Sequence, residues 1–384
     1  MATNTLNLNL RKPGVTDIVN VTTDISDNMQ KVDDAVGALQ VAAPLVQTAY
    51  RNKLRNGDFQ IAQRGTAITV TGLAFTTGLD GWKTTHNDGT CGVYQISAGA
   101  GVYPGSSDAA YAMQINLTGA TLATHYLHLQ QRIEGVRTLA GKTVTLSFIG
   151  YCGVLSTAKL GIFVQQSFGA GGGASAATAQ VQVGGVTVNQ TPTKYTVTFT
   201  VPSIVGKTVG TDGTDFLLLQ FWLSGGSNYT ASNGNVPIQN GNFGFADIQL
   251  EAGPVATPFE RLPQQVQLAW NQRYYYRKTT ALVNETLAVG NLAAATVALF
   301  MIPLPVRLRA PSTPIFNASS GTAYVTDVIT ANWAVTGGMT AGVSNADHAE
   351  WQVTFPTGTG TAGRVAYLRQ LSGTPVFFEI GAEL

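Results

Sequence analysis

Apolar residues along this chain recur with two different periods, and the change of period divides it. Near the start Leu6, Leu8 and Leu10 alternate with polar residues, the pattern of a short strand or extended arm. Pro13-Gly14 breaks that pattern. Over about 16–40 the apolar positions Ile18, Val21, Ile25, Met29, Val32, Val36 and Leu39 recur at steps of three and four. That is one helical stripe, with Asp24, Asp27, Asp33 and Asp34 on other faces, and Pro44 ends it. An apolar stripe needs a cover, supplied either by its own domain or by copies of itself. The neighbouring sequence offers no partner, so a self-associated, coiled-coil-like helix is expected.

From 54 to 263 the period becomes that of strands. Short runs of Val, Ile, Thr, Tyr and Phe are separated by Gly, Asn, Asp and Pro. The clearest strands are 67–70, 92–96, 112–117, 126–133, 143–150, 160–165, 195–201, 216–223 and 243–250. Such a series predicts a two-sheet sandwich of jelly-roll kind. The Gly- and Ala-rich stretch 169–179 reads as a loop without core capacity. At 263–278 the pattern turns helical again, with Pro263 at the start, Val266, Leu268, Ala269 and Trp270 within, and Arg277-Lys278 near the end. Beyond it, 279–384 returns to β patterning. The expected organisation is therefore mainly β: an N-terminal segment 1–50, a jelly roll 51–262, a linker helix 263–278 and a smaller C-terminal β domain 279–384.

Composition narrows the function. Charged residues are 11% of the 384, less than half of the roughly 25% usual in soluble domains, and the net charge is +1. No basic footprint for nucleic acid or an anionic membrane exists, and the apolar content of 44% excludes a disordered chain. Cys91 and Cys152 form no metal-binding or disulfide pattern and read as small buried hydrophobes. The start lacks the basic and apolar blocks of a signal peptide, and the longest apolar run, 292–302, is too short for a membrane span. Synthesis in a cytosol without a membrane address is expected.

Catalytic signatures are weak. His125 and His128 lie three apart in a strand pattern, so they point to opposite faces. Gly141-Lys-Thr and Gly206-Lys-Thr look like the ends of phosphate-binding loops. Gly135 lies one residue too far from the first, however, and Val201 stands where the second needs its Gly. No carboxylate pair or β-helix repeat marks a glycan-cleaving enzyme. Sugar binding fits the residue types better, because pyranose faces are apolar and their rims are hydroxyls. Trp82 with Asn87 and Asp88, Tyr94, Tyr103, Trp222, and Tyr229 with Asn228 and Asn233 are the candidates. Trp82 and Trp222 have a competing reading as core rings of the sandwich, whereas Tyr229 sits in a Gly-rich loop where rings are displayed.

Several stretches resemble known virion parts. Leu-Asn-Leu10-Arg-Lys-Pro13, followed by Asp24-Ile-Ser-Asp-Asn-Met29-Gln-Lys-Val-Asp33-Asp-Ala-Val-Gly37, resembles the N-terminal attachment segment of bacteriophage tail fibres and related appendages. Arg55-Asn56-Gly57-Asp58-Phe59-Gln-Ile61, Asp80-Gly81-Trp82, Phe245-Ala-Asp247-Ile-Gln-Leu-Glu251-Ala-Gly253-Pro254 and Ala256-Thr-Pro258-Phe259-Glu260-Arg261 resemble the ends of the carbohydrate-binding-module-like jelly roll of phage tail and fibre proteins. Arg273-Tyr-Tyr-Tyr276, Leu304-Pro-Val-Arg307-Leu-Arg309-Ala-Pro311 and Phe378-Glu-Ile-Gly-Ala-Glu-Leu384 are similar to the C-terminal part of the same proteins.

The resemblance implies a non-enzymatic virion protein, a homotrimeric tail fibre or receptor-binding appendage contacting host surface glycan. Residues 1–50 would join it to other virion proteins and trimerise through the Ile18-to-Leu39 stripe. A head fibre, decoration or collar protein without an adsorption role is the alternative, and a glycan-degrading tail enzyme the second. No cofactor is expected, but modules of this kind often tie the first strand to the last through calcium held by oxygens. Asp58 and Asp247 are the candidate ligands for such an ion.

Overall fold

The computed structural model describes residues 3–4, 10–12, 18, 20–42, 50–70, 78–97, 109–317, 323–327, 332–335, 339–342, 344–355, 360–371, 373 and 375–383. The chain is mainly β and divides into two compact units, Met1–Arg51 and Asn52–Leu384.

In the first unit β1 (Thr3–Asn4) pairs antiparallel with β2 (Arg11–Lys12), and a π-helical turn, Val21–Ser26, leads into α1 (Asp27–Ala42). Asn20 starts the helical run. Its Oδ1 accepts the Thr22 N–H at 2.9 Å, and Asp24 accepts the Asn20 N–H, so two N–H groups at the helix start have partners. Of the expected stripe, Ile18, Ile25, Met29 and Val32 are exposed, Met29 by 67%. The side chains of Val21, Val36 and Leu39 lie outside the described residues, as do Leu6 and Leu8.

The second unit begins with the jelly roll. Its strands are β3 (Ala67–Val70), β4 (Lys83–His86), β5 (Thr90–Ser97), β6 (Tyr111–Thr118), β7 (Tyr126–Glu134), β8 (Thr143–Cys152), β9 (Thr157–Ser167), β10 (Val181–Asn189), β11 (Thr193–Thr200), β12 (Phe216–Gly225) and β13 (Gly241–Ala252). They form a six-stranded sheet, β11-β8-β13-β6-β5-β3, and a five-stranded sheet, β10-β9-β12-β7-β4, antiparallel throughout. The core lies between them. Val144, Leu146 and Phe148 alternate inward from β8, and Leu217, Leu219, Phe221 and Leu223 from β12. Phe148, Phe221 and Phe245 meet at its centre with ring centroids 5.3–6.0 Å apart.

Two strands carry no clear sequence signal. β4 reads Lys-Thr-Thr-His, without apolar alternation, and takes its strand form from pairing with β7. β10 is interrupted by Gly184-Gly185, where its pairing with β9 shifts register.

Pro263 leads into α2 (Gln264–Gln272), shorter than the expected 263–278. Tyr275, Tyr276, Arg277 and Lys278 belong instead to β14 (Tyr275–Thr279), pulled into a sheet by pairing with β23 (Phe377–Gly381). Between these lie β15 (Thr286–Ala294), β16 (Val297–Pro303), β17 (Ile315–Phe316), β18 (Ala323–Asp327), β19 (Asn332–Ala334), β20 (Met339–Ala341), β21 (His348–Thr354) and β22 (Val365–Gln370). They make sheets β14-β23-β17 and β19-β18-β22-β15-β16-β21-β20 around a second core that includes Trp333, Trp351, Phe355 and Phe378.

Aromatic rings join this part to the jelly roll. The Arg55 guanidinium lies 3.5 Å above the Tyr274 ring and that of Arg64 3.4 Å above Tyr275, while Arg273 and the Tyr274 hydroxyl both donate to Glu134. Among the described residues no helix is long and apolar enough to cross a membrane.

Candidate functional site

The outer face of the five-stranded sheet carries a concentration of aromatic and amide side chains. On β7 the inward Leu127 and Leu129 alternate with outward Tyr126, His128 and Gln130; on β12 the inward Leu219, Phe221 and Leu223 alternate with outward Gln220 and Trp222. Register then sets two rows across the sheet. Thr85, His128, Trp222 and Gly161 form one; Lys83, Gln130, Gln220 and Phe163 form the next.

The rings interlock. Tyr126 stacks on His128 with centroids 4.9 Å apart, and His128 meets Trp222 edge-on at 4.0 Å. Tyr229, from the short helical turn Ser227–Tyr229 after β12, packs on Trp222 at 5.3 Å and on Tyr126 at 6.3 Å. Gly161 allows this end of the face to close. A Cβ there would stand 2.6 Å from the Asn233 carbonyl oxygen and 2.9 Å from the Phe163 ring. Tyr126, His128 and Tyr229 are half-buried and reach solvent, Asn228 is exposed, and Trp222 lies deeper, 5% exposed.

Three polar atoms of this face are buried without a hydrogen-bond partner: His128 Nε2, Trp222 Nε1 and Gln220 Oε1. Buried polar groups normally have partners, so a cluster of unpartnered ones is informative. Trp222 offers a donor, Gln220 an acceptor, and the His128 nitrogen either role according to tautomer. A hydroxyl both donates and accepts, so it matches either role, but these atoms lie beneath the rings and a ligand reaches them only if those rings move aside. Burial, reinforced by nearby His125, holds the His128 pKa down to about 3, so the ring is neutral and the aromatic cluster carries no charge of its own near pH 7.

The other sequence candidates lie elsewhere. Trp82 is a core ring, 1% exposed, with its Nε1 donating to the Asn56 carbonyl and its ring 5.9 Å from Phe59. It is not a surface ligand. Tyr94 stands on β5 of the opposite sheet, folded over Gly92. Tyr103 lies outside the described residues. Asn87 and Asp88 tie a turn, Asn87 bonding Tyr126 N and Thr124 O while Asp88 accepts the Thr121 and Leu122 N–H groups. Asn233 is buried and holds Val236. Trp222 and Tyr229 therefore come together, with Asn228 exposed on the same turn, while Trp82 and Tyr94 do not join them. Sequence reasoning missed Tyr126, Gln130, Phe163 and Gln220 and considered His128 only as a metal ligand. Their alternation with Leu127, Leu129, Leu219 and Phe221 was the available signal.

Asp58 and Asp247 do converge, on the Arg261 guanidinium. The Arg261 guanidinium stands between them, Nη2 donating to Asp247 Oδ2 at 2.7 Å and Nη1 3.9 Å from Asp58 Oδ2. Asp58 Oδ2 also accepts from Gln60 Nε2 and Gln267 Nε2, each at 2.8 Å. A hard cation needs oxygens around it, and here N–H donors and a positive charge fill the place. Calcium does not fit. Among the described residues no group of three or more His, Cys, Asp or Glu is placed to hold a metal.

Among the described residues of the jelly roll a Ser–His contact joins His125 Nε2 to Ser224 Oγ at 3.0 Å. Both side chains are wholly buried, His125 Nδ1 has no partner, and Ser224 Oγ accepts the Gln239 N–H. The missing orienting group and the sealed hydroxyl make this a structural tie.

No protein-family model matches this chain, and no curated protein matches it. Among solved structures it is similar to the CBM22-2 xylan-binding domain of Paenibacillus barcinonensis Xyn10C, at 13% identity and TM-score 0.29, over 45% of this chain and 91% of that one. It is also similar to a CBM4 structure, at 17% identity and TM-score 0.28, over 52% and 99%. The enzymatically active domain of bacteriophage CBA120 tailspike protein 4 is similar at 12% identity and TM-score 0.32, over 53% of this chain and 22% of that one. Likenesses this distant leave function to be argued from the site itself.

Proposed function

We propose that this chain is a bacteriophage virion appendage subunit whose jelly roll holds a hydroxyl-rich host-surface glycan against the Tyr126–His128–Trp222–Tyr229 face. The observation that carries the glycan reading is the uncharged aromatic cluster of Tyr126, His128, Trp222 and Tyr229 on the outer face of the sheet, of which Tyr126, His128 and Tyr229 reach solvent. Rings offer stacking surface to the apolar side of a sugar, and beneath them His128, Trp222 and Gln220 hold polar atoms that have no partner within the protein. The virion reading rests on the sequence resemblance. It is supported by the exposed Ile18, Ile25, Met29 and Val32, an apolar stripe that self-association into a homotrimer would cover. Weak sites repeated in a trimer and again over many copies give avidity without tight single sites.

A glycan array probed with the purified full chain tests the binding. Capture of neutral or hydroxyl-rich host glycans is expected, and an empty array at high protein concentration refutes the glycan reading. Sedimentation equilibrium tests the oligomer. A monomer at micromolar concentration refutes the trimer while leaving the glycan reading intact.

A further inference from the structure

Strand β16 is apolar on both faces. Ala298, Phe300 and Ile302 point into the second core, while Val297, Leu299, Met301 and Pro303 alternate with them on the outer face of the seven-stranded sheet. Leu299 is 42% exposed and Met301 51%. A strand with one face in water ordinarily carries polar residues there, whereas a strand covered on both sides reads as continuously apolar. Pairing widens the strip. Leu299 lies in register with Asn291 of β15 and Gln352 of β21, and Met301 with Glu350 of β21. Val289 of β15 and Val365 of β22, both exposed, continue it toward β22. A cleft of about 430 Å³ opens along the strip, with Val289, Leu299, Met301 and Glu350 in its lining.

The two flanks of the strip differ in charge. On the β21 side stands Glu350, with His348 Nε2 3.4 Å from its carboxylate. On the β22 side stands Arg369, which shares the outer face with Val365 and Tyr367. Its Nε donates to Thr286 Oγ1 at 3.2 Å and its guanidinium lies 5.1 Å from the Tyr367 ring centre. Among the described residues no carboxylate pairs with it. We infer that this face is where the C-terminal sheets of neighbouring copies of the chain meet, the Glu350 flank of one copy against the Arg369 flank of the next, with the Leu299–Met301 strip covered between them. The inference rests on the homotrimer proposed above and adds a contact separate from the N-terminal stripe. A ring of identical copies needs unlike flanks, because each contact joins two different patches of the chain. A negative and a positive flank on either side of an apolar strip meet that need, and like charges on both would oppose it. Arg suits the role, since its fork can hold a carboxylate through two parallel N–H bonds.

Thiol labelling of the full chain tests this. Met301→Cys places a thiol in the strip, and Val205→Cys places one in the loop after β11, at a position 90% exposed. A maleimide should modify Met301→Cys about tenfold or more slowly than Val205→Cys. Adding Glu350→Arg or Arg369→Glu to Met301→Cys should bring its rate close to that of Val205→Cys. The two reversals together should restore protection, which misfolded chains would not do. Sedimentation of the same samples reads the trimer. A trimer whose Met301→Cys thiol reacts as fast as that of Val205→Cys overturns this inference and leaves the trimer standing, whereas a monomer overturns both. Protection that neither reversal relieves means that something other than a neighbouring copy covers the strip, and it overturns the inference too. A double reversal that stays reactive overturns the pairing of Glu350 with Arg369.

Discussion

Replacing Tyr229 by Ala removes one solvent-reaching ring from the proposed glycan platform and little else. The ring contacts Trp222 at 5.3 Å and Tyr126 at 6.3 Å. Aromatic pairs contribute about 0.5–1.5 kcal/mol each, so the fold should lose about 1–3 kcal/mol and remain folded. The turn itself is held by backbone bonds, Ser232 and Asn233 N–H to the Tyr229 carbonyl at 2.8 and 2.9 Å, which the substitution leaves in place. On the ligand side, loss of one stacking ring should cost on the order of 1.4 kcal/mol, or about tenfold per site. With three sites engaged together, the loss of apparent affinity should multiply to about 10²–10³. The assay pairs titration of a free oligosaccharide, which reads the single site, with capture on an immobilised glycan, which reads the multivalent one. Tyr229→Phe, which keeps the ring, should bind nearly as wild type. A folded Tyr229→Ala variant with wild-type affinity in both formats would refute the placement of the site.

Other consequences are open to direct measurement. Gly226 lies against the 122–123 turn so closely that a Cβ would stand 2.2 Å from the Ala123 oxygen and 2.5 Å from the Leu122 oxygen. Gly226→Val should therefore displace the loop carrying Tyr229 and abolish glycan capture while far-ultraviolet dichroism stays β. His128 is held neutral down to about pH 3, whereas in the unfolded chain it titrates near 6.5. The stability it contributes is thus complete above about pH 6.5 and is lost as pH falls toward 3. His128→Gln should flatten the fall in urea midpoint between pH 7 and pH 4, and an unchanged slope would contradict that environment. Cys91 is buried, with its thiol pushed up to about 12 by that burial, and Cys152 is buried elsewhere in the same core. Native protein should resist a thiol reagent that labels both after denaturation. Phe221 sits among Phe148 and Phe245 at the centre of the sandwich, so Phe221→Ala should lower unfolding stability by about 3–5 kcal/mol, read as a shift in guanidinium midpoint.

Strands such as 143–149 and 196–201 were legible because apolar side chains alternate there with Thr and Ser, and Val144, Leu146, Phe148, Phe199 and Val201 face the core. β4 and β10 were not legible. Lys83-Thr-Thr-His86 is a strand only because β7 lies beside it, and Gly184-Gly185 conceals an edge strand that bends at that point. The helix at 263–278 was half right. Arg277-Lys278 read as the cations of a helix end, but pairing of Tyr275–Thr279 with Phe377–Gly381 made that half a strand, in keeping with the β preference of its tyrosines.

The candidate site divides in the same way. By itself the sequence determined a mainly β chain of low charge, with Gly, Thr, Ser, Asn and Gln in place of the missing charges. Composition and period are sums over local positions, so they survive without a fold. Which aromatic rings work together was decided only in three dimensions. Trp82 and Trp222 look alike in sequence, yet one is capped by Asn56 inside the sandwich and the other joins Tyr126, His128 and Tyr229 on its outer face. That Arg261 stands against both Asp58 and Asp247 was not readable, because it arrives there only after the last jelly-roll strand, as the chain turns toward α2. Contacts between distant segments depend on strand register and on bulges, and a one-residue slip in either would send these side chains to the other face.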